Sequence, residues 1–227
     1  DKLWRRLDVI EALAVPHHSA NVMMGVDWSL GWNPAREPAV EIYSVWGSSE
    51  RSAAAGNPRP IRSCKGEMPG RHVLDALKRG YRFGFIGGGD IHDGRPGDDL
   101  HAQNFASGYG DLWPQGMTAV SVPALTRENV YDAIKSHRTY AASRSRIWLR
   151  AEVVDGGALH VRAACEHGIA SAEIVLNGSV AGTLRPEGDP RVIDAATPTP
   201  SLAPGEFLYV RVTTATGELA WSSPVWG

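Results

Sequence analysis

The hydrophobic pattern of this chain changes period near Ile147, and no single regular architecture satisfies both sides of the change. Before that point, apolar runs of strand length alternate with helical spacing. "RHVLDALKRG" (Arg71 to Gly80) reads as a short amphipathic helix closed by glycine, and "TRENVYDAIKSHR" (Thr126 to Arg138) as a second with Thr126 at its N-cap. A further helix is expected over Leu3 to Leu13. Between the helices, "ALAVPHHS", "AVEIYSVWG", "FGFIGGG" and "GMTAVSV" read as strands. Strand, helix, strand with polar loops points to parallel βαβ units.

After Ile147 helical spacing disappears. "IWLRAEVV", "ALHVRAAC", "SAEIVLNGSVAGTLR", "EFLYVRVTT" and "ELAWSSPVW" are strand-like, and several alternate apolar and polar residues. Asn177-Gly178 is a strong hairpin signal and Thr216-Gly217 a weaker one. This half is expected to form a small antiparallel β-sandwich, with "ATPTPSLAPG" as a proline-rich surface loop. The expected division is residues 1–145 and 146–227.

Three strand ends carry residues suited to chemistry. In "GFIGGGDIHDGRPG", glycines bring bare backbone to a site that then presents Asp90 and His92. Side chains at i and i+2 of an extended strand point the same way, so both can reach one cluster. "VPHHS" places His17 and His18 at another tip. "AVEIYSVWGSSE" holds Glu41, which faces either a metal or ligand histidine, a buried ion pair, or solvent. Asp and His are ligands for Zn²⁺, Mn²⁺ or Fe. Asp-x-His alone more often marks a polar turn, but two such strand ends in one series favour a site. Arg95 in "DGRPG" is placed to pair with a phosphoryl oxygen, and Asp93 to orient a ligand histidine. His18, Glu41 and Asp93 rank below His17, Asp90 and His92. The long glycine-rich stretch from Asp93 to Gln115 suits a lid.

"AVPHHS", "AVEIYSVWGSSE", "GFIGGGDIHDGRPG", "QGMTAVSVPALTRENVYDAIKSHRTYAAS" and "AWSSPVW" together resemble the PHP (polymerase and histidinol phosphatase) superfamily, in its branch of metal-dependent phosphoesterases with a β-rich C-terminal extension. The resemblance implies a distorted (β/α)7 barrel whose strand ends hold two or three divalent metal ions. It implies hydrolysis of a small-molecule phosphate ester. By its pattern His17, Asp90 and His92 are metal ligands, whereas it gives His18 no general role, and His18 is ranked lower, as a substrate contact. The family's hallmark His-x-His pair, with its following His and bridging Glu, is not found in this chain. The expected fold is therefore α/β: a partial (β/α)7 PHP-type barrel, its C-terminal half, followed by the sandwich. Without the missing N-terminal half, the chain alone is expected to bind metal weakly and show little activity.

Two other functions fit the same residues. Trp148, Trp221 and Trp226 suit a non-catalytic module for carbohydrate or another ring ligand, and two of them exposed on one surface would favour it. A metallohydrolase acting on a C–N or C–O bond is the other. The formal net charge of −2 gives no electrostatic reason to expect nucleic acid, and no apolar run reaches the roughly 20 residues that span a bilayer. Cys64 and Cys165 lack any metal-type spacing and read as two free thiols.

Overall fold

The computed structural model describes residues 2–92, 94, 112–154, 157–199 and 201–227. Asp93, Arg95 and most of the expected lid lie outside them. The described residues form three sheets in three layers rather than a barrel.

The first layer is small. β1 (Ala39–Ser44) lies parallel to β3 (Gly84–Gly87), with Ala39 opposite Gly84, and antiparallel to the two-residue β2 (Gly47–Ser48). The crossover from β1 to β3 contains helix α2 (Val73–Lys78). Its His72 N-cap is held by a reciprocal capping box with Asp75, and its inner face buries Val73, Leu74, Ala76 and Leu77. Helix α1 (Lys2–Ile10) precedes this layer. The segment of residues 12–17 belongs to no strand. It runs beside β1 through one hydrogen bond, from Glu41 N–H to the Pro16 carbonyl. Proline at its end offers no N–H with which to continue a ladder.

The second layer is a seven-stranded antiparallel sheet, ordered β4 (Gly116–Val120), β5 (Thr139–Ser143), β12 (Leu219–Ser222), β11 (Phe207–Thr214), β8 (Ile169–Leu176) and β9 (Ser179–Leu184), with β13 (Val225–Trp226) also on β11. The third layer is β10 (Val192–Pro198), β7 (Ala158–Ala164) and β6 (Trp148–Val154), also antiparallel. The central sheet is apolar on both faces. In β11, Phe207 and Tyr209 join Val40, Ile42, Phe83 and Phe85 in one core. Leu208, Val210 and Val212 join Leu149, Leu159, Val161 and Ile193 in the other. β5 and β12 divide likewise, Ala141 and Trp221 on one side, Ala142 and Ala220 on the other. Period-two alternation thus feeds two cores instead of one core and solvent.

These contacts overturn the expected α/β barrel. A (β/α)7 barrel needs successive parallel strands, and β1–β3 is the one parallel strand pair among the described residues. β4 and β5 do flank a helix, α3 (Arg127–Lys135), whose Thr126 cap accepts from Asn129 N–H as expected. They nevertheless pair antiparallel, and the other edge of β5 pairs antiparallel with β12. The central sheet therefore draws strands from both sides of residue 145. The fold is β-rich, with sandwich-like packing of the second and third layers. The proline-rich stretch also contributes to a strand, since β10 runs through Pro198. β10 is an edge strand, where a missing N–H is tolerated. The Asn177-Gly178 turn joins β8 to β9 with both residues at positive φ, 52° and 88°.

Two buried ionic clusters tie the first layer to the second. Arg59 Nη1 donates to Glu218 Oε2 at 2.8 Å and to the Tyr43 hydroxyl at 3.1 Å, and Ser143 Oγ donates to the same Glu218 oxygen at 2.6 Å. Glu50 accepts from Trp221 Nε1 at 3.0 Å and from Tyr209 and Arg211. Cys64 and Cys165 are free thiols.

Candidate metal centre

β1 and β3 end side by side, and their parallel register carries both chains to the same edge. At the end of β3 and just past it, Gly87, Gly88 and Gly89 permit close approach. A Cβ on Gly87 would lie 2.5 Å from the Met117 carbonyl oxygen of β4, and one on Gly89 would lie 2.8 Å from Gln115 Oε1. Thr118 Oγ1 fastens this crossing, donating to the Gly87 carbonyl at 2.6 Å.

Asp90 and His92 follow. Their side chains do not converge by strand alternation, because β3 has ended at Gly87. Both residues are left-handed, at φ 49° and 56°, and His18 is too, at 32°. Such backbone costs on the order of 1–3 kcal/mol per residue and is concentrated at functional sites.

These turns bring His17, His18 and Asp90 together, with one donor atom from each lying within 4.8 Å of the others. His17 Nδ1 is 3.8 Å and His18 Nε2 3.9 Å from Asp90 Oδ2. Two ligands about 2.0–2.2 Å from one cation can be up to about 4 Å apart, so both separations suit a shared ion. His92 takes a different place. Its Nε2 lies 2.7 Å from Asp90 Oδ1, so it holds the other oxygen of the carboxylate. Trp46, just beyond β1, donates its indole N–H to Asp90 Oδ2 at 2.5 Å. Beneath the cluster, Glu41 Oε1 accepts the His18 backbone N–H at 3.2 Å.

The electrostatics divide the two histidines. The Asp90 carboxylate raises the His17 pKa against the opposing effect of burial, and Glu41 adds to the rise. Burial lowers the His18 pKa, and the neighbouring His17 charge lowers it further. His18 therefore stays neutral and keeps the lone pair a cation needs. Burial acts to raise the Asp90 carboxyl, but His17, the Trp46 N–H and His92 outweigh it and hold the pKa below the ordinary value. Glu41 is pushed up to about 7, first by burial and then by Asp90, despite its bond from His18.

The donor set fits a divalent cation: one ionised carboxylate, one neutral imidazole, and a second imidazole freed by loss of a proton. His18 turns Nε2, not its buried and unpartnered Nδ1, toward Asp90. Among the described residues this is the one group of three or more ligand-type side chains whose donor atoms all lie within 4.8 Å of one another. The cluster is reached from solvent past His17 and His92, whose side chains are about half exposed. His18, ranked as a substrate contact from the sequence, is the buried member of the cluster, and Glu41 supports it from below. Trp46 escaped the sequence reading because a tryptophan after a strand carries no sign of what its N–H will meet.

The chain is 31% identical over 254 aligned residues to an uncharacterized protein of Chlamydia trachomatis, and 31% identical to uncharacterized proteins of Chlamydia muridarum and Chlamydia pneumoniae. Each alignment covers 99% of this chain and 40% of the relative, so the chain spans well under half the length of the curated relatives it matches. No protein-family model and no solved structure matches it.

Proposed function

We propose that this chain carries a divalent-metal site of a hydrolase acting on phosphate esters, with His17, His18 and Asp90 as ligands. The observation that carries the reading is the convergence of three donor atoms within 4.8 Å at the end of a parallel strand pair. A cation held there would supply positive charge to screen a phosphate and acidity to activate water. The residues around it have separate tasks. Trp46 and His92 each take an oxygen of Asp90 and fix the direction of its remaining lone pairs. Glu41 anchors the backbone that carries the buried His18 imidazole. His17 and His92 line the open side, where an anionic substrate would arrive.

The choice of phosphate rests on the likeness of the strand-end motifs to PHP enzymes and does not require a barrel. Arg95, the expected phosphate contact, lies outside the described residues. The test is calorimetric titration of Zn²⁺ and Mn²⁺ into the chain, followed by assay with p-nitrophenyl phosphate and p-nitrophenyl acetate. Saturable binding lost in His18→Ala and Asp90→Asn, with metal-dependent release from the phosphate, is the expected result. Metal-dependent cleavage of the acetate alone would transfer the site to C–O bond hydrolysis. Equal metal uptake by the His17→Ala/His18→Ala/Asp90→Asn variant and the parent would remove the site altogether.

A further inference from the structure

A cleft of about 820 Å³ lies away from the metal cluster and shares no lining residue with it. It is bounded by β4 and β6, the edge strands of their two sheets, by the end of α3, and by the chain around β13.

Its walls combine aromatic faces with unsatisfied polar groups. Trp148 lines it and is 48% exposed. Trp226 lines it too, with the Arg82 guanidinium over its ring at 5.9 Å and the His137 ring at 5.4 Å, so Trp148 offers the freer face. Trp226 Nε1 is buried with no acceptor. His137 sits just past the end of α3 at φ 57°, a position glycine usually takes. The helix end closes through Arg138 N–H to the Ala133 carbonyl at 2.8 Å. Neither His137 ring nitrogen has a hydrogen-bond partner among the described residues. Burial lowers the His137 pKa, so the ring is neutral near pH 7 and offers one donor and one acceptor. Arg138 lines the cleft and is exposed, and its guanidinium has no partner among the described residues, whereas that of Arg150 is engaged by Glu152 at 2.6 Å.

We propose that this cleft binds an acidic saccharide, a sugar chain bearing uronic-acid carboxylates, with a pyranose face on Trp148 and a carboxylate on Arg138. An indole suits the C–H face of a sugar, and a guanidinium fork pairs with a carboxylate in bidentate fashion. The neutral His137 supplies bonds to hydroxyl groups. One uncommitted guanidinium matches one carboxylate per sugar, whereas a nucleotide di- or triphosphate would need several cations. The site is independent of the metal cluster and of the hydrolase reading.

The experiment is titration of the chain with tetragalacturonate, followed by tryptophan fluorescence and calorimetry, with maltotetraose as the uncharged control and AMP as a stacking anion of another class. Tetragalacturonate is expected to bind saturably and at least about tenfold more tightly than maltotetraose. Trp148→Ala should abolish binding. Arg138→Gln should weaken the acidic sugar about tenfold and leave maltotetraose unchanged. His137→Gly should raise the thermal midpoint, by relieving the left-handed backbone, and yet weaken binding. Chelator and Asp90→Asn should change nothing. No saturable binding, a preference for AMP, or parent-like affinity in both Arg138→Gln and His137→Gly would overturn the proposal, even if Trp148→Ala fails to fold.

Discussion

Gly88 leaves the space that Glu41 occupies: a Cβ at Gly88 would sit 2.3 Å from Glu41 Oε2. The glycine run after β3 is therefore a packing requirement of the candidate site as well as a turn. Gly88→Ala must displace the Glu41 carboxylate, which carries the His18 backbone N–H. The expected cost is about 1–3 kcal/mol in chemical denaturation, together with weaker Zn²⁺ binding. Unchanged zinc affinity in a destabilised variant would separate the packing role from the site.

Glu41 also sets a pH dependence. Its pKa is about 7 in the fold, above its ordinary 4.5, because burial disfavours the charge. Between those values the folded state holds a proton that the unfolded state has lost, so stability falls as pH rises from about 4.5 to 7 and stays reduced above that. Glu41→Gln keeps an oxygen for the His18 N–H and removes the charge. In chelator, it is expected to exceed the parent at pH 8 by on the order of 3 kcal/mol, and by little at pH 5. A gap of the same size at both pH values would assign the effect to packing.

Much of the local structure was legible. α2, α3 and the strands after Ile147 other than β10 follow from periodicity and caps, and the Asn177-Gly178 turn from its dipeptide. Strand direction was not. A strand–helix–strand pattern is the same whether the second strand returns parallel or antiparallel, and β4–α3–β5 returns antiparallel. One sign of the central sheet was present in β11, where "FLYV" (Phe207 to Val210) is apolar at four consecutive positions, as a strand buried on both faces must be. Asp90 and His17 were expected together at two strand ends, but only Asp90 follows a strand, since the segment that carries His17 forms none. The left-handed turns that bring them together were not legible, because non-glycine residues rarely adopt them and their side chains give no warning.

The Trp46 N–H bond to Asp90 is testable with a small change. Trp46→Phe keeps an aromatic ring beside His18 and His92 and deletes the donor. Supporting groups of this kind commonly contribute about 10–100-fold to metal affinity, and a loss in that range is expected for Zn²⁺. The Asp90 carboxyl should also titrate higher by NMR in the metal-free chain, since one of the groups holding its pKa down is gone. A loss of stability with neither change would reduce Trp46 to a filler of the core.

Arg59 and Glu218 lie 159 residues apart in sequence and meet at 2.8 Å between the first and second layers. Both are buried, so the pair has been taken out of water together. Arg59→Met leaves the Glu218 carboxylate with Ser143 but without its main counter-charge, and about 3–5 kcal/mol of stability should go with it. The double variant Arg59→Met/Glu218→Gln removes the stranded charge and should recover a large part of that loss. Because Arg59 touches none of the metal donors, any zinc site that survives should keep its affinity while the unfolding midpoint falls. If the double variant is as unstable as Arg59→Met alone, the cost lies in lost packing around Tyr43 rather than in the unpaired carboxylate.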